Sequence, residues 1–175
     1  LVSMSVENLE RLRRLMEDIL SYSEVANAPQ QRTLVPLEEP LRIALLNLEH
    51  HIKESRADIT SGPLPEVPAD RTQMVMVFQN LVGNAIKYRR KTELPRIRIE
   101  AVRDDAFWRI SVSDNGEGFE AAYAGSIFEP FKRLHGRDVP GSGIGLATCK
   151  RVIERLDEPD AEGRRAQEGQ LVRGR

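Results

Sequence analysis

One stretch, Phe78-Gln-Asn80-Leu-Val-Gly-Asn84-Ala-Ile-Lys87-Tyr88, constrains the fold of this chain more than any other. At 3.6 residues per turn, Asn80, Asn84 and Lys87 fall on one face of a helix, while apolar side chains line another face. Asparagine amides are poor helix formers and are costly to bury without partners. A buried helix with this polar face therefore predicts a ligand that supplies the partners. A phosphate group with a Mg²⁺ ion fits, because side-chain carbonyl oxygens bind Mg²⁺ and a lysine ammonium attracts phosphate oxygens.

The composition of the chain excludes several classes of protein. Its 175 residues include 26 basic and 27 acidic ones, and the formal net charge of -1 gives no global attraction to nucleic acid or to a membrane surface. The single cysteine, Cys149, excludes an internal disulfide framework and a multi-cysteine zinc site. The sequence has no apolar run of the about 18 residues that a membrane span needs, and no signal peptide precedes its opening helical pattern. We therefore expect a cytoplasmic part of a longer protein, with no nucleic-acid partner and no direct membrane contact.

Residues 1–28 form an amphipathic pattern of their own. Large apolar side chains recur there at the spacing of an associating helix, and they are Val2, Leu9, Leu12, Met16 and Ile19. Pro29 and its polar neighbours then interrupt the pattern. We expect this helix to form a homodimer, and the alternative is that it packs on its own domain.

The middle of the chain, residues 33–155, has the pattern of a domain with both helices and strands. The expected elements are strands at 33–36, 58–60, 96–102 and 108–113, and helices at 37–53 and from Asp70, as the capping residue, to about Arg90. The last two strands alternate in polarity and are joined by a short turn, which predicts an antiparallel hairpin. The three prolines within 62–68 predict a connection without regular structure.

Asp114 stands at the end of the hairpin and is followed by Asn115-Gly-Glu-Gly118-Phe119. An ionised aspartate only accepts hydrogen bonds, so it favours an exocyclic amine such as that of adenine over the carbonyl that guanine carries there. Gly116 and Gly118 have no side chains that would block a flat base. Taken alone, this D-x-G-x-G pattern is also common in ordinary turns.

A second glycine cluster, Gly141-Ser142-Gly143-Ile-Gly145-Leu146, precedes an amphipathic pattern over 147–155. Glycines at alternate positions let backbone N–H groups approach phosphates at the N-terminus of a helix. The spacing differs from a Rossmann fingerprint, and the chain has no P-loop sequence. Between the two clusters we expect Phe128 and Phe131 to pack in a core, next to a basic group formed by Lys132, Arg133 and His135.

The order of these motifs resembles the catalytic, ATP-binding domain of sensor histidine kinases, within the wider gyrase, Hsp90, histidine kinase and MutL group. The matching motifs are Asn80-x-x-x-Asn84-Ala-x-Lys87-Tyr88, Asp114-x-Gly116-x-Gly118, Phe128-Glu-Pro-Phe131 and Gly141-x-Gly143-x-Gly145-Leu146. The segment Arg133-Leu-His-Gly-Arg is most similar to the phytochrome-like kinases of bacterial two-component systems. The resemblance implies an α+β fold, a two-layer α/β sandwich of the histidine kinase ATP-binding type preceded by one dimerisation helix.

The same resemblance implies a site for Mg²⁺ and ATP. Asn84 would be the main Mg²⁺ ligand with Asn80 in support, and Lys87 would contact phosphates. The full set of implied catalytic and nucleotide-binding residues is Asn80, Asn84, Lys87, Tyr88, Asp114, Gly116, Gly118, Phe119, Arg133, Gly141, Ser142, Gly143, Gly145 and Leu146. The implied partners are a second copy bound through the N-terminal helix, a response regulator receiver domain and an upstream sensory domain.

Asn80 indicates which reaction this site would serve. In the ATPase branches of the group a glutamate at this position acts as base for the attacking water, and an asparagine amide cannot accept a proton usefully. Transfer of the γ-phosphoryl group to a protein histidine fits better, because positioning and metal electrostatics carry most of that reaction. The alternatives are a non-catalytic dimerisation and nucleotide-sensing module and, less favoured, an ATPase of the same fold group.

The sequence departs from the family pattern at both ends. Residues 1–28 resemble only the second helix of the dimerisation hairpin, and the phosphoacceptor segment, a histidine followed by an acidic residue, is not found there. Residues 156–175 are charged and rich in glycine where the family continues into two strands. We expect the last helix to extend to about Leu156, residues 156–175 to be a disordered tail, and the sheet to be incomplete at this end.

Overall fold

The structure is a computed structural model that describes residues 2–27, 32–104, 107–133, 141–157 and 169–174. The helices are α1 (Val2–Asn27), α2 (Glu38–Asn47), α3 (Glu49–Ser55), α4 (Arg71–Lys87) and α5 (Gly145–Asp157). The strands are β1 (Thr33–Pro36), β2 (Asp58–Ser61), β3 (Glu66–Ala69), β4 (Arg96–Asp104), β5 (Phe107–Asp114) and β6 (Gly169–Gly174). Two short 3-10 turns span Ala121–Tyr123 and Ser126–Phe128.

The chain divides into two compact units. The helical unit consists of Leu1–Ala28 and Phe119–Arg151, and the sheet unit consists of Pro29–Gly118 and Val152–Arg175. The domains predicted from the sequence have other boundaries, with one domain over 33–155, and that division stays a prediction.

In the sheet unit, α4 supplies most of the helical core. The side chain of Asp70 accepts a hydrogen bond from the backbone N–H of Gln73 at 3.0 Å, which confirms the expected cap. The buried side chains of α4 are Met74, Val77, Phe78, Leu81, Val82, Ala85 and Ile86. The helix packs against α2 and contacts β5. It ends at Lys87, with Tyr88 as the capping residue, rather than at the expected Arg90.

The main sheet of this unit has the strand order β2-β4-β5-β6. Strands β4 and β5 pair antiparallel, with Ile97 opposite Asp114, so the predicted hairpin is confirmed. Burial alternates along β4, where Ile97 and Ile99 are buried while Arg96 and Arg98 are exposed. One face of the sheet therefore packs in the core and the other faces solvent. The predicted mixed fold of helices and sheet is confirmed, and within the described residues the sheet does not close.

The structure corrects the expectation that 62–68 lacks regular structure. Strand β3 forms there and pairs antiparallel with β1, with Val35 opposite Val67 and Leu34 opposite Pro68. The pair makes a separate two-stranded sheet, in which each strand is an edge. Proline is tolerated on an edge strand because one side of the strand needs no ladder hydrogen bond.

The single helix expected over 37–53 is two helices. Leu48 separates α2 from α3, and its ψ of 4° lies far from the helical value. Its N–H still bonds the carbonyl of Ala44 at 3.1 Å, and its carbonyl accepts from Ile52 at 2.9 Å. Leu48 is itself buried, so its side chain stays in the core where the two helices meet.

The expectation that residues 156–175 contribute no strand is wrong at 169–174. Strand β6 lies parallel to β5, with Ile110 opposite Leu171 and Val112 opposite Arg173. Helix α5 ends at Asp157, in agreement with the prediction. Within the described residues one strand stands where the resemblance implied two, so the sheet stays incomplete. Residues 158–168 and 175 lie outside the description.

In the helical unit, α1 confirms the helix expected before Pro29. Most of its predicted contact stripe is exposed, since Leu9, Leu12, Met16 and Ile19 are 66%, 58%, 63% and 45% accessible. The expected packing of Phe131 is wrong, because its side chain is exposed and Ile127 is buried instead. Phe128 is half-buried, and His135 lies outside the described residues. None of the helices in the described part of the chain combines the length and apolarity needed to cross a membrane.

Candidate functional site

The polar face of α4 carries three of the predicted site residues in a half-buried setting. The amide nitrogen of Asn80 donates to the backbone carbonyl of Met76 at 3.0 Å. That bond leaves the side-chain oxygen of Asn80 as the atom available to a ligand. For Asn84, one turn further, no side-chain hydrogen bond is found within the described residues, although its backbone carbonyl accepts from Tyr88 at 2.9 Å. Two amide oxygens on one helix face thus remain open to a hard cation or to water around it.

Lys87 ends this face of α4 next to Tyr88. The Lys87 Nζ atom lies 4.6 Å from the centre of the Tyr88 ring, a distance at which the cation is attracted to the ring face. The ring holds the ammonium near the end of the helix. A lysine in this position could act as a point charge toward an anion near the helix end.

The turn after β5 is held in shape by Asp114 and Gly116. One carboxylate oxygen of Asp114 accepts from the backbone N–H of Gly116 at 2.9 Å. A side chain at Gly116 would meet the Tyr88 carbonyl oxygen at 2.6 Å and the Asp114 carboxylate at 2.7 Å, so only glycine fits. Gly118 has a φ of 68°, a backbone conformation that favours glycine.

The same turn is bonded to the end of α4. The backbone N–H of Glu117 donates to the Tyr88 carbonyl at 3.0 Å, and the Arg90 side chain donates to the Gly116 carbonyl at 3.1 Å. The structure therefore brings Asp114 and Gly116 next to Tyr88, which caps the helix that carries Asn80, Asn84 and Lys87. The D-x-G-x-G pattern is more than an isolated turn.

Asn115 is a structural residue that no sequence pattern predicted as such. Its side chain bonds backbone groups on both sides of the buried Pro95. The only sequence signal was its position inside the D-x-G-x-G motif. Its partners depend on how β4 and β5 pair, which local patterns do not reveal.

The second glycine cluster belongs to the helical unit. Gly143 has a φ of 79°, and a side chain there would meet the Lys132 carbonyl oxygen at 2.9 Å and Arg133 Cγ at 3.1 Å. The backbone N–H of Phe131 donates to the Gly143 carbonyl at 3.1 Å. Gly143 and Arg133 are thus neighbours, and glycine is required for the approach.

The N-terminus of α5 follows directly on this cluster. The hydroxyl of Ser142 accepts from the backbone N–H of Ile144 at 3.2 Å, so it occupies one of the amides ahead of the helix. Gly145 is the first helical residue and Leu146 is half-buried behind it. Gly141 has a φ of 151°. Phe119, the first residue of the 119–151 segment of the helical unit, is half-buried. The backbone dipole of α5 favours an anion at this end.

Two further observations limit the chemistry of the chain. Among the described residues, no group of three or more His, Cys, Asp or Glu side chains is arranged to hold a metal ion. Burial raises the pKa of the Cys149 thiol to about 12, so it is neutral and unreactive at physiological pH. A cation at the α4 face would need the asparagine oxygens together with oxygens from its own ligand, a donor set that fits Mg²⁺ bound to phosphates.

Comparison with known proteins identifies the family. The family model described as "Histidine kinase-, DNA gyrase B-, and HSP90-like ATPase" matches residues 69–170. Cyanobacterial phytochrome A of Nostoc sp. (strain PCC 7120) is 43% identical over 154 residues, which cover 87% of this chain and 20% of that protein. The chain thus spans about a fifth of the length of this relative.

Two solved structures are similar in fold. Full-length ShkA in complex with AMPPNP gives a TM-score of 0.69 at 26% identity and covers 86% of this chain and 32% of that one. Histidine kinase ThkA in complex with response regulator protein TrrA gives a TM-score of 0.61 at 27% identity, with 78% and 41% covered. The family match includes α4, the Asp114 turn and the second glycine cluster, which are the elements described above. The chain therefore belongs to the histidine kinase-, DNA gyrase B- and HSP90-like ATPase family, with a domain of the sensor histidine kinase type.

Proposed function

We propose that this chain is the ATP-binding catalytic part of a two-component sensor histidine kinase. It would transfer the γ-phosphoryl group of ATP to a histidine on a dimerisation helix that residues 1–28 do not contain. The observation that carries the proposal is the bonding of the Asp114 turn to the end of α4, from the Glu117 N–H to the Tyr88 carbonyl and from the Arg90 side chain to the Gly116 carbonyl. This bonding places a carboxylate that accepts hydrogen bonds in the same unit as the amide and lysine side chains of α4.

In this proposal Asp114 recognises the nucleobase. One of its oxygens already accepts from Gly116, and a carboxylate retains further acceptor sites for the exocyclic amine of adenine. The absence of side chains at Gly116 and Gly118 leaves room for the base. AMPPNP, an ATP analogue, is bound in one structural relative, which supports an adenine nucleotide as ligand.

The polar face of α4 would hold the metal and the phosphates. Asn84 is proposed as the main Mg²⁺ ligand and Asn80 as its support, because both present side-chain oxygens without a competing donor among the described residues. Lys87 and Tyr88 would contact phosphate oxygens. A bound Mg²⁺ ion supplies charge neutralisation for the triphosphate, and the protein supplies its orientation.

We also propose phosphate-binding residues in the second glycine cluster. Gly141, Gly143 and Gly145 have no side chains that would keep a phosphate from the backbone near the start of α5, and the Ser142 hydroxyl accepts from the Ile144 N–H there. Arg133 lies beside Gly143 and adds positive charge. Phe119 and Leu146 complete the proposed set.

Asn80 favours phosphoryl transfer over hydrolysis. Its amide nitrogen is engaged with Met76, and its oxygen has no basicity with which to activate water. Family membership alone is compatible with kinase or ATPase activity. The two alternatives are therefore an ATPase of the same fold and a nucleotide-sensing module that binds ATP without transferring phosphate.

The proposed partners follow from the same assignment. Residues 1–28 would be the second helix of a dimerisation hairpin and would form a homodimer through the exposed stripe of α1, while 33–155 would be the catalytic domain. A response regulator receiver domain would accept the phosphoryl group, as the ThkA complex with a response regulator supports. We also propose an upstream sensory domain and a cytoplasmic location, with no nucleic-acid partner.

The test is phosphoryl transfer in trans. The chain is mixed with Mg²⁺, γ-labelled ATP and a separate helical hairpin that carries a histidine followed by an acidic residue. We expect acid-labile label on the hairpin, none with Asn84→Ala, and normal transfer with Asn47→Ala, which alters an exposed asparagine of the same unit. Binding of a fluorescent ATP analogue without any transfer would favour the sensing module, and release of free phosphate without the hairpin would favour the ATPase.

A further inference from the structure

Asn115 extends the pairing of β4 and β5 beyond the last residue of β5. Its side-chain oxygen accepts from the backbone N–H of Arg96 at 2.8 Å, and its amide nitrogen donates to the Leu94 carbonyl at 3.0 Å. Its own N–H donates to the Arg96 carbonyl at 3.3 Å. A side-chain amide offers one acceptor and two donors and so can replace a peptide group. Asn115 therefore adds a rung to the ladder immediately after Asp114.

A second attachment holds the next residue of the turn. Arg90 donates to the Gly116 carbonyl at 3.1 Å and pairs with Glu93 at 3.5 Å. The other carboxylate oxygen of Glu93 accepts from the Asn115 side chain at 3.3 Å. The connection between α4 and β4 is thus bonded to the turn at Asn115 and Gly116. Glu93 contacts the side chains of both Asn115 and Arg90.

These attachments hold the turn that follows the Asp114 carboxylate. Asp114 is the residue before Asn115, and one of its oxygens is bonded to Gly116. When the turn shifts, the carboxylate shifts with it. A single acceptor distinguishes an amine from a carbonyl only if its oxygen points at that group, since hydrogen bonds weaken steeply away from linearity.

We propose that Asn115 is a positioning residue for nucleobase selection, with Arg90 as the second attachment of the same turn. This inference rests on the proposed function, in which Asp114 accepts from the adenine amine. Asn115 does not touch the base. It fixes the turn that presents Asp114, and so it sets the preference for adenine over guanine.

The test compares affinities for Mg·ATP and Mg·GTP by titration calorimetry. Asn115→Ala should weaken ATP binding by about tenfold and GTP binding by less than about threefold, because the lost alignment affects only the adenine contact. A loss of folded protein would reduce both affinities by the same factor and leave their ratio unchanged. Asn47→Ala removes a side-chain hydrogen bond of 3.0 Å to Gln79 elsewhere in the sheet unit and should preserve both affinities.

Arg90→Ala provides a second variant, because this side chain is exposed and its removal leaves the core intact. We expect the ratio of GTP to ATP dissociation constants to fall in the same direction, by a smaller factor. If both variants retain the ratio of the parent chain, Asn115 has no positioning role and the inference is overturned. A parent chain that binds no ATP would overturn the proposed function instead, so the two failures are distinguishable.

Discussion

Helices α1 and α4 are both long and amphipathic, but they bury their apolar faces differently. In α4, of 17 residues, seven apolar side chains are buried within the chain. In α1, of 26 residues, the stripe from Leu9 to Ile19 is largely exposed. A helix gains little stability from its own backbone and depends on the burial of its apolar face. The apolar face of α4 therefore lies in the core of its unit, whereas most of the apolar stripe of α1 is exposed among the described residues.

The largest contrast should appear in the stability of the fold. Phe78→Ala on α4 should lower the free energy of unfolding by about 3–5 kcal/mol, because Phe78 is almost fully buried. Leu12→Ala on α1 should change it by less than about 0.5 kcal/mol, because Leu12 is exposed in the single chain. Urea unfolding followed by circular dichroism, at a concentration where the chain is monomeric, measures both. Equal losses would mean that α1 is as much a part of the core as α4.

Substitutions on the polar face of α4 should lower the affinity for nucleotide rather than the stability of the fold. Asn84→Ala should remove measurable Mg·ATP binding in titration calorimetry and leave the urea midpoint unchanged, because the side chain makes no hydrogen bond among the described residues. Asn47→Ala, at an exposed asparagine of α2, is the control and should bind as the parent does. Equal affinity of the Asn84 variant and the parent would remove Asn84 from the site.

Substitutions in the exposed stripe of α1 should change the oligomeric state of the chain. Each large aliphatic side chain contributes about 1.5–3 kcal/mol when buried, and a charge at the middle of the stripe opposes that burial. We therefore expect the parent chain to be a dimer and Leu12→Glu to be a monomer in sedimentation experiments. Leu46→Glu changes an exposed leucine of α2 and should leave the dimer intact. A monomeric parent would contradict the proposed role of α1.

The smallest effect is expected at the end of β5, where nucleotide selection would occur. Asp114→Asn should weaken ATP binding by about tenfold and reduce the preference over GTP, because an amide can donate to the guanine carbonyl. Competition with a fluorescent ATP analogue gives the two affinities. Asp58→Asn, at an exposed position on β2, serves as the control. An unchanged preference would count against Asp114 as the base-reading residue.

The parts of the fold that the sequence predicted correctly depend on local signals. The Asp70 cap, the apolar face of α4 and the alternation of β4 and β5 each lie within one short segment. Strand β3 was missed because the prolines at 65 and 68 argue against a strand, and the structure accommodates Pro68 on an edge. The prediction that Phe131 packs in a core is wrong. Its backbone N–H bonds to Gly143, while its ring is exposed.

The residues of the candidate site stay a prediction, and their arrangement did not follow from the sequence. The motifs named Asp114 and the glycines, and the resemblance supplied their roles. The bonds of Arg90 to Gly116 and of Arg96 to Asn115 join residues 26 and 19 positions apart in the chain, so local patterns do not reveal them. Strand β6 also could not be predicted from a local pattern, because it is defined by its pairing with the edge of β5.

The strand order has a consequence for the sequence of events during folding. Only two residues of the chain lie between β4 and β5, and an antiparallel hairpin closes within about 1–10 μs. Strand β6 comes from a distant part of the chain and must be brought to β5 against a larger loss of chain entropy. During synthesis β5 therefore leaves the ribosome well before its outer neighbour exists. In that interval its free edge is a template for any other extended chain. Nascent chains that stall before residue 169 should accordingly be the species that aggregates.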